Sequence, residues 1–407
     1  MSQKIKFIDA RKSTFFATVR ERVDAYFREN GISRHANGAM WAKTAFCLGG
    51  YGLLYGLIIS NQFGPWTMLG LAVLLGVFSA FVGFNVSHDA IHGSFSGSKR
   101  VNHLLSHSFY LLGANPYVWS ISHNIVHHTY TNIPHHDEDI EIAPGLVRVD
   151  PDEPVNKIQR YQHVYAFALY ALASLSWVLR KDYKKFFQAR IGGHDTPHHP
   201  RIEYFNLFFY KALYYFLFIV LPMLVLDVAW WQVLIGFVAT HLVEGLVIGL
   251  VFQLAHVVEG THFPTPNAEG NLEESWAVHQ LQTTANFSRR SALANFLCGG
   301  LNMQIEHHLF PKVCHIHYAA ISEIVKQTAR EHNLPYLENK TFFSALGSHY
   351  RLLKQLGHHA YHNNRRKGDR RPEERRPERT ETGGKETGDR RRIGKGSGGD
   401  RVETLSY

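Results

Sequence analysis

The sequence predicts an all-α integral membrane protein: four transmembrane helices in two hairpins, with a helical cap on the cytoplasmic side that gathers histidines. Three observations predict it. Four apolar runs are each long enough to cross a bilayer, basic residues crowd one side of them, and clusters of histidine stand at the ends of those runs on that same side.

The first run, Trp41 to Ile59, reads WAKTAFCLGGYGLLYGLII, and the second, Met68 to Val86, reads MLGLAVLLGVFSAFVGFNV. Some 20 apolar residues suffice for a spanning helix. The turn between them, NQFGPW, contains no Lys or Arg, whereas the segment before the first run holds eight: Lys4, Lys6, Arg11, Lys12, Arg20, Arg22, Arg28 and Arg34. The cytoplasmic side carries the Lys and Arg excess, so both chain ends are expected there. No cleavable signal peptide is expected, because the first apolar run starts far into the chain and is too long.

The third and fourth runs, Phe205 to Leu226 and Val228 to Leu254, are separated by Asp227, where a hairpin would turn. A fifth stretch, Tyr161 to Leu179, lies between the pairs. A third crossing there would put the histidine-rich ends on opposite sides, and its flanks, Arg160, Arg180 and Lys181, are basic. It is therefore read as an interfacial or re-entrant helix.

Residues 1–40 then form a cytoplasmic segment, 41–357 the membrane domain, and 358–407 a charged tail. From Asn363 to Tyr407 the tail holds 14 Lys and Arg against 9 Asp and Glu, with Gly, Pro and almost nothing to bury, so it is expected to be disordered. Much of the net charge of +9 sits in it, which removes the reason to infer nucleic-acid binding. Three cysteines, Cys47, Cys298 and Cys314, form no CxxC pair and support neither a disulfide framework nor a zinc ribbon.

Three histidine clusters carry the chemistry. SHDAIHGSF places His88 and His92 four apart, on one helix face, where two imidazoles can hold one metal. In HNIVHHTYTN, His123 and His127 share a face, while His128 lies about 100° further round and can reach a second metal. Tyr130, Thr131 and Asn132 offer groups that orient ring nitrogens. QIEHHLFP adds Gln304, Glu306, His307 and His308, and His256 stands where the fourth run ends. Eight imidazoles can share two metal ions, although imidazole suits iron, copper, nickel and zinc alike. No HExxH occurs, and only Glu259 with His262 has the ExxH spacing of soluble di-iron bundles.

Other histidines rank lower. His194, His198 and His199 lie in a Gly/Pro-rich loop and are expected to be solvated; His358, His359 and His362 begin the tail; His135 and His136 follow a helix-breaking proline. His241 and Glu244 lie three apart inside the fourth run, an intramembrane ionisable pair that is a functional candidate, although mutual hydrogen bonding explains it as well.

HDAIH, HNIVHHTYTN and NMQIEHHLFP resemble the three histidine boxes, HxxxH, HxxxHH and QxxHH, of the membrane fatty acid desaturases. The resemblance runs from about Phe15 to Gly357, including LQTTANF and HDEDIE, and is nearest to bacterial acyl desaturases related to front-end and linoleoyl desaturases. It implies two irons on His88, His92, His123, His127, His128, His307 and His308, with His256 as an extra ligand. Gln304 stands where many desaturases have a third-box histidine, and it is either a ligand or an orienter of water. Asn132, Asp89 and Asn124 are further candidates as ligands or as supports of ligands.

The resemblance further implies an O2-dependent enzyme of the bacterial inner membrane that takes two hydrogens from a long-chain acyl group, CoA- or lipid-linked, and leaves a cis double bond. No HPGG haem-domain motif occurs, so electrons would come from a separate cytochrome- or ferredoxin-type protein, with Asp137 to Glu141 as a possible dock or a solvated stretch. Phe81, Phe84, Trp119, Tyr214, Tyr215 and Phe252 are candidates for the wall of an acyl channel. The patches Arg180 to Lys185 and Arg289 with Arg290 are candidates to meet CoA phosphates or lipid headgroups. The alternatives are a hydroxylase of the same superfamily, and a haem- or metal-carrying membrane protein.

Overall fold

The computed structural model describes residues 5–196 and 198–363. It is largely helical. Among the described residues, strand is limited to two-residue pairings, of which Lys6–Phe7 with Asn271–Leu272 and Asn286–Phe287 with Glu338–Asn339 are parallel.

Four helices are long and apolar enough to cross a membrane: α2 (Gly38–Ile59), α3 (Pro65–His92), α7 (Arg201–Val225) and α8 (Trp230–His256). They follow α1 (Phe15–Glu29), and between α3 and α7 come α4 (116–130), α5 (Gln159–Ala171) and α6 (Ala173–Phe187). Local chemistry fixes the starts. The Asn37 side chain accepts from the Met40 amide to cap α2, and Pro65 opens α3 at the position where a missing N–H costs nothing.

Helices α3 and α8 run 28 and 27 residues, about 40 Å each at 1.5 Å per residue, which is more than the roughly 30 Å of a hydrocarbon core. Their surplus turns carry His88, His92 and His256. The two helices touch backbone to backbone, since a Cβ on Gly76 would come within 2.3 Å of the Thr240 carbonyl oxygen. At the other end, Asn61 after α2 donates to the Asp227 carboxylate at 2.7 Å and accepts from the Asp227 amide at 3.0 Å, tying the two connecting turns together.

The fifth apolar stretch is not a straight helix. α5 and α6 meet at Leu172 with a bend of 56°, a shape that fits a broken span or a re-entrant segment. The first residues of the expected tail, up to Asn363, are helical. The remainder of that tail lies outside the described residues.

Beyond the ends of the long helices lie α9 (Trp276–Thr283), α10 (Gln304–Leu309), α11 (Tyr318–Glu331) and α12 (Phe342–Lys354). Phe15, Val19, Val23 and Phe27 repeat every four residues along α1 and pack with Ile321, Val325 and Ala329 of α11. That core also takes in Leu281 of α9 and Ile305 and Leu309 of α10, and so fixes the short helix that bears His307 and His308.

Candidate metal centre

Two of the three histidine clusters sit on helices whose regular winding is interrupted. A π turn, Gly83–Ser87, precedes His88 in α3, and another, Ile121–His127, runs through the middle of α4. Such turns shift the angular register of the residues that follow. His123 and His127 still share a face, as the spacing predicts, their rings stacked 4.9 Å apart, yet each joins a different group of neighbours.

His88, His92, His123 and His307 bring one ring nitrogen each to within 4.8 Å of one another, and His127, His256 and His308 do the same. His128 stands between the groups, its ring centre 4.8 Å from that of His92, 4.6 Å from His307 and 4.4 Å from His308. All eight are buried. The eight rings named from the sequence thus converge, with His123 in one group and His127 in the other.

The rings are held from behind. Asp137 Oδ2 lies 2.8 Å from His127 Nδ1, Asp139 Oδ2 3.3 Å from His123 Nδ1, Tyr318 OH 3.1 Å from His307 Nδ1, and Gln280 Oε1 2.7 Å from His308 Nδ1. In each of these four rings Nε2 is buried with no hydrogen-bond partner, as are Nε2 of His92 and both nitrogens of His88, His128 and His256. Leaving so many buried acceptors unpaired costs about 1–3 kcal/mol apiece unless something else binds them. A metal ion would do so, and the Nδ1 contacts leave Nε2 as the ligating atom in each of the four.

Protonation states agree. Burial, only partly offset by Asp139, pushes His123 down to about 3, while burial and the neighbouring imidazoles hold His128, His307 and His308 well below the usual value. These four rings are neutral at physiological pH, the form that ligates. Asp139 is ionised: against the burial that would raise its pKa, Lys185 and Lys181 hold it well below the carboxylate range.

A cavity of about 570 Å3 opens beside the first group, a size typical of small-ligand sites. Arg180, Lys184, Glu138 and Glu141 line one part of it; Phe84, Trp119 and Phe252 line another, with His88, His123 and Gln304 bordering it. Of the six aromatics expected in a channel wall, Phe81, Tyr214 and Tyr215 are not among its lining residues.

The chain matches the profile of the fatty acid desaturase family over residues 64–340. It is 36% identical to the acyl-lipid (8-3)-desaturase of Physcomitrium patens, over 87% of this chain and 74% of that one. The sn-1 linoleoyl-lipid 6-desaturase of Synechocystis sp. is likewise 36% identical, over 88% of this chain and 98% of its own. The chain belongs to the fatty acid desaturase family. The corresponding enzyme of Arthrospira platensis is 33% identical over 84% and 92% of the two chains. The desaturase is accordingly an oxidoreductase of fatty acyl chains.

Several polar residues of the desaturase do other work than the sequence suggests. Asp137 is buried against His127, and Asp139, its side chain 10% exposed at the cavity, is taken up by His123, Lys181 and Lys185. Arg289 is buried on Glu323 and Glu338 and cannot meet a phosphate. His199 is half-buried between Tyr117 and the Phe186 carbonyl rather than solvated, and His135 pairs with Asp150 away from the centre. Asn132 and Asn124 spend their amide N–H groups on backbone, on His256 and His262 in one case and on Ile91 in the other. Glu306 faces Asn286 and Tyr336, and burial pushes it up to about 7. Gln304 keeps a buried, unpaired Oε1.

Lys43, Gln280, His315 and Tyr318 carry no sequence signal of a role. Lys43 and His315 reach the first box from far along the chain, and Gln280 and Tyr318 reach the third from 28 and 11 residues away.

Proposed function

We propose that the desaturase introduces a cis double bond into the acyl chain of a membrane glycerolipid, at two irons held by His88, His92, His123, His127, His128, His256, His307 and His308. The observation that carries this reading is the set of unpaired ring nitrogens bordering an apolar cavity with a charged mouth. The names of the relatives favour lipid over CoA as the acyl carrier. When bound, the irons would supply the O2 chemistry that removes hydrogen from an unactivated methylene.

The chain's own residues do the rest. Arg180 and Lys184 at the mouth suit an anionic headgroup, and Phe84, Trp119 and Phe252 hold the alkyl chain against His88 and His123 while excluding water. Asp137, Asp139, Tyr318 and Gln280 fix the ring orientations. The four long helices form two hairpins with both chain ends and the histidine-bearing cap on the cytoplasmic side of the inner membrane, supported by the basic N-terminal segment and the uncharged first turn. A cytochrome- or ferredoxin-type protein delivers the electrons there.

The test is the fatty acid profile of a bacterial host expressing the chain with such a donor, beside His127→Ala with His128→Ala. A product two hydrogens lighter that needs the intact histidines bears the reading out. A product one oxygen heavier makes the enzyme a hydroxylase instead.

A further inference from the structure

Along α8 the residues fall in a telling order. His256 faces the metal site at the helix end, Phe252, Gly249 and Ile248 line the cavity beside it, and Thr240, Phe237 and Gly236 line a second cavity of about 350 Å3 further down the helix. Between the two cavities comes His241, about 10 Å beyond Ile248 at 1.5 Å per residue.

His241 is fully buried and both its nitrogens are bonded. Nδ1 lies 2.7 Å from Ser174 Oγ, and Nε2 lies 3.0 Å from Tyr214 OH. Ser174 lines the first cavity and Tyr214 the second, so this three-residue bridge is the wall between them. Glu244 stands behind it, Oε2 being 3.4 Å from His241 Nδ1.

An intramembrane histidine bonded on both sides, with no reach to the metal centre, calls for a reason of its own. A terminal methyl pressing on this wall meets groups whose bonds it cannot replace, and each bond broken would strand a buried polar atom. Resting on the acyl-cavity reading above, we propose that Ser174, His241 and Tyr214 close the deep end of the acyl cavity and so set the longest chain the enzyme accepts.

The full-length enzyme is expressed in a host fed fatty acids of rising chain length, and products are scored as ratios of longer to shorter chains, with iron content and thermal midpoint as checks on folding. Tyr214→Ala joins the two cavities and raises the ratio about tenfold, the discrimination a hydrophobic pocket exerts for a methylene in excess. Ser174→Met adds bulk on the near side and lowers it. Ala173→Trp fills the first cavity and abolishes turnover of every chain. Shifts of opposite sign for the first two variants bear the proposal out. If Tyr214→Ala and Ser174→Met depress all chain lengths in equal proportion while Ala173→Trp is inactive, the wall does not set length, though the cavity still holds the chain. If a folded Ala173→Trp works normally, the cavity reading itself falls and takes the proposal with it.

Discussion

Lys43 Nζ lies 3.0 Å from Nε2 of His315 in the buried interior. An ammonium has only N–H groups to offer, so His315 accepts at Nε2 and carries its proton on Nδ1. That proton is donated to Asp89 Oδ2 at 2.8 Å, and the other Asp89 oxygen lies 3.6 Å from Nδ1 of His88. A lysine on the first long helix thereby determines how a carboxylate stands behind a ligand on the second.

Breaking that chain weakens the metal without touching a ligand. Supports of this kind typically cost 10–100-fold in metal affinity when removed. Lys43→Met and His315→Phe are expected to hold iron at least about tenfold less tightly, read by chelator competition on purified enzyme. Affinity equal to wild type in both variants would remove Asp89 from the support of His88.

The two histidine groups should lose metal separately. His256 belongs to the group of three alone, whereas His128 borders both. His256→Ala is expected to retain about half the wild-type iron, and His128→Ala less, with desaturation lost in both, as one metal is not the site that eight imidazoles build. Iron per polypeptide by mass spectrometry decides it; equal retention in the two variants would contradict the division.

How far the site was legible in the sequence depends on the range of each interaction. The spans and boxes are local patterns: apolar runs, and histidines at fixed intervals. The eight rings that converge in the fold are therefore all ones such patterns single out. What the spacing does not carry is the grouping, since His123 and His127 stack on one face yet meet different neighbours from α3, α8 and α10. The supports lie beyond it too. Asp137 reaches His127 across a loop, and Lys43 and His315 are 272 residues apart, so nothing periodic links them. A patch such as Asp137 to Glu141 reads as exposed charge until the fold supplies its partners.

Acid should unfold the protein partly through His349. This ring donates from Nδ1 to the Val257 carbonyl at 2.6 Å and lies 2.9 Å from Tyr170 OH at Nε2; burial, against the raising effect of the Val257 bond, pushes it from 6.5 down to about 4. Above pH 6.5 the ring is neutral whether folded or unfolded. Between 6.5 and about 4 only the unfolded chain takes the proton, so stability falls as pH falls, by about 1.4 kcal/mol per unit, and the loss levels off below about 4. His349→Asn keeps a donor for Val257 and removes the titration. Its melting midpoint in detergent should fall less steeply than wild type across that window; parallel curves would show that the ring does not contribute.

Gln304 should govern turnover and not metal content. Its Oε1 is buried and unpaired at the cavity border, which His88 and His123 share, while the first group already offers four imidazole nitrogens. An amide oxygen there can orient water or an alkyl chain beside His88 and His123. Gln304→Leu preserves bulk and removes the polar atom, and it is expected to keep wild-type iron while lowering kcat about tenfold, within the 10²-fold range that small misplacements at a reacting centre cost. Should Gln304→Leu lose iron in step with activity, the side chain is a ligand, and the first group holds its metal with five protein groups instead of four.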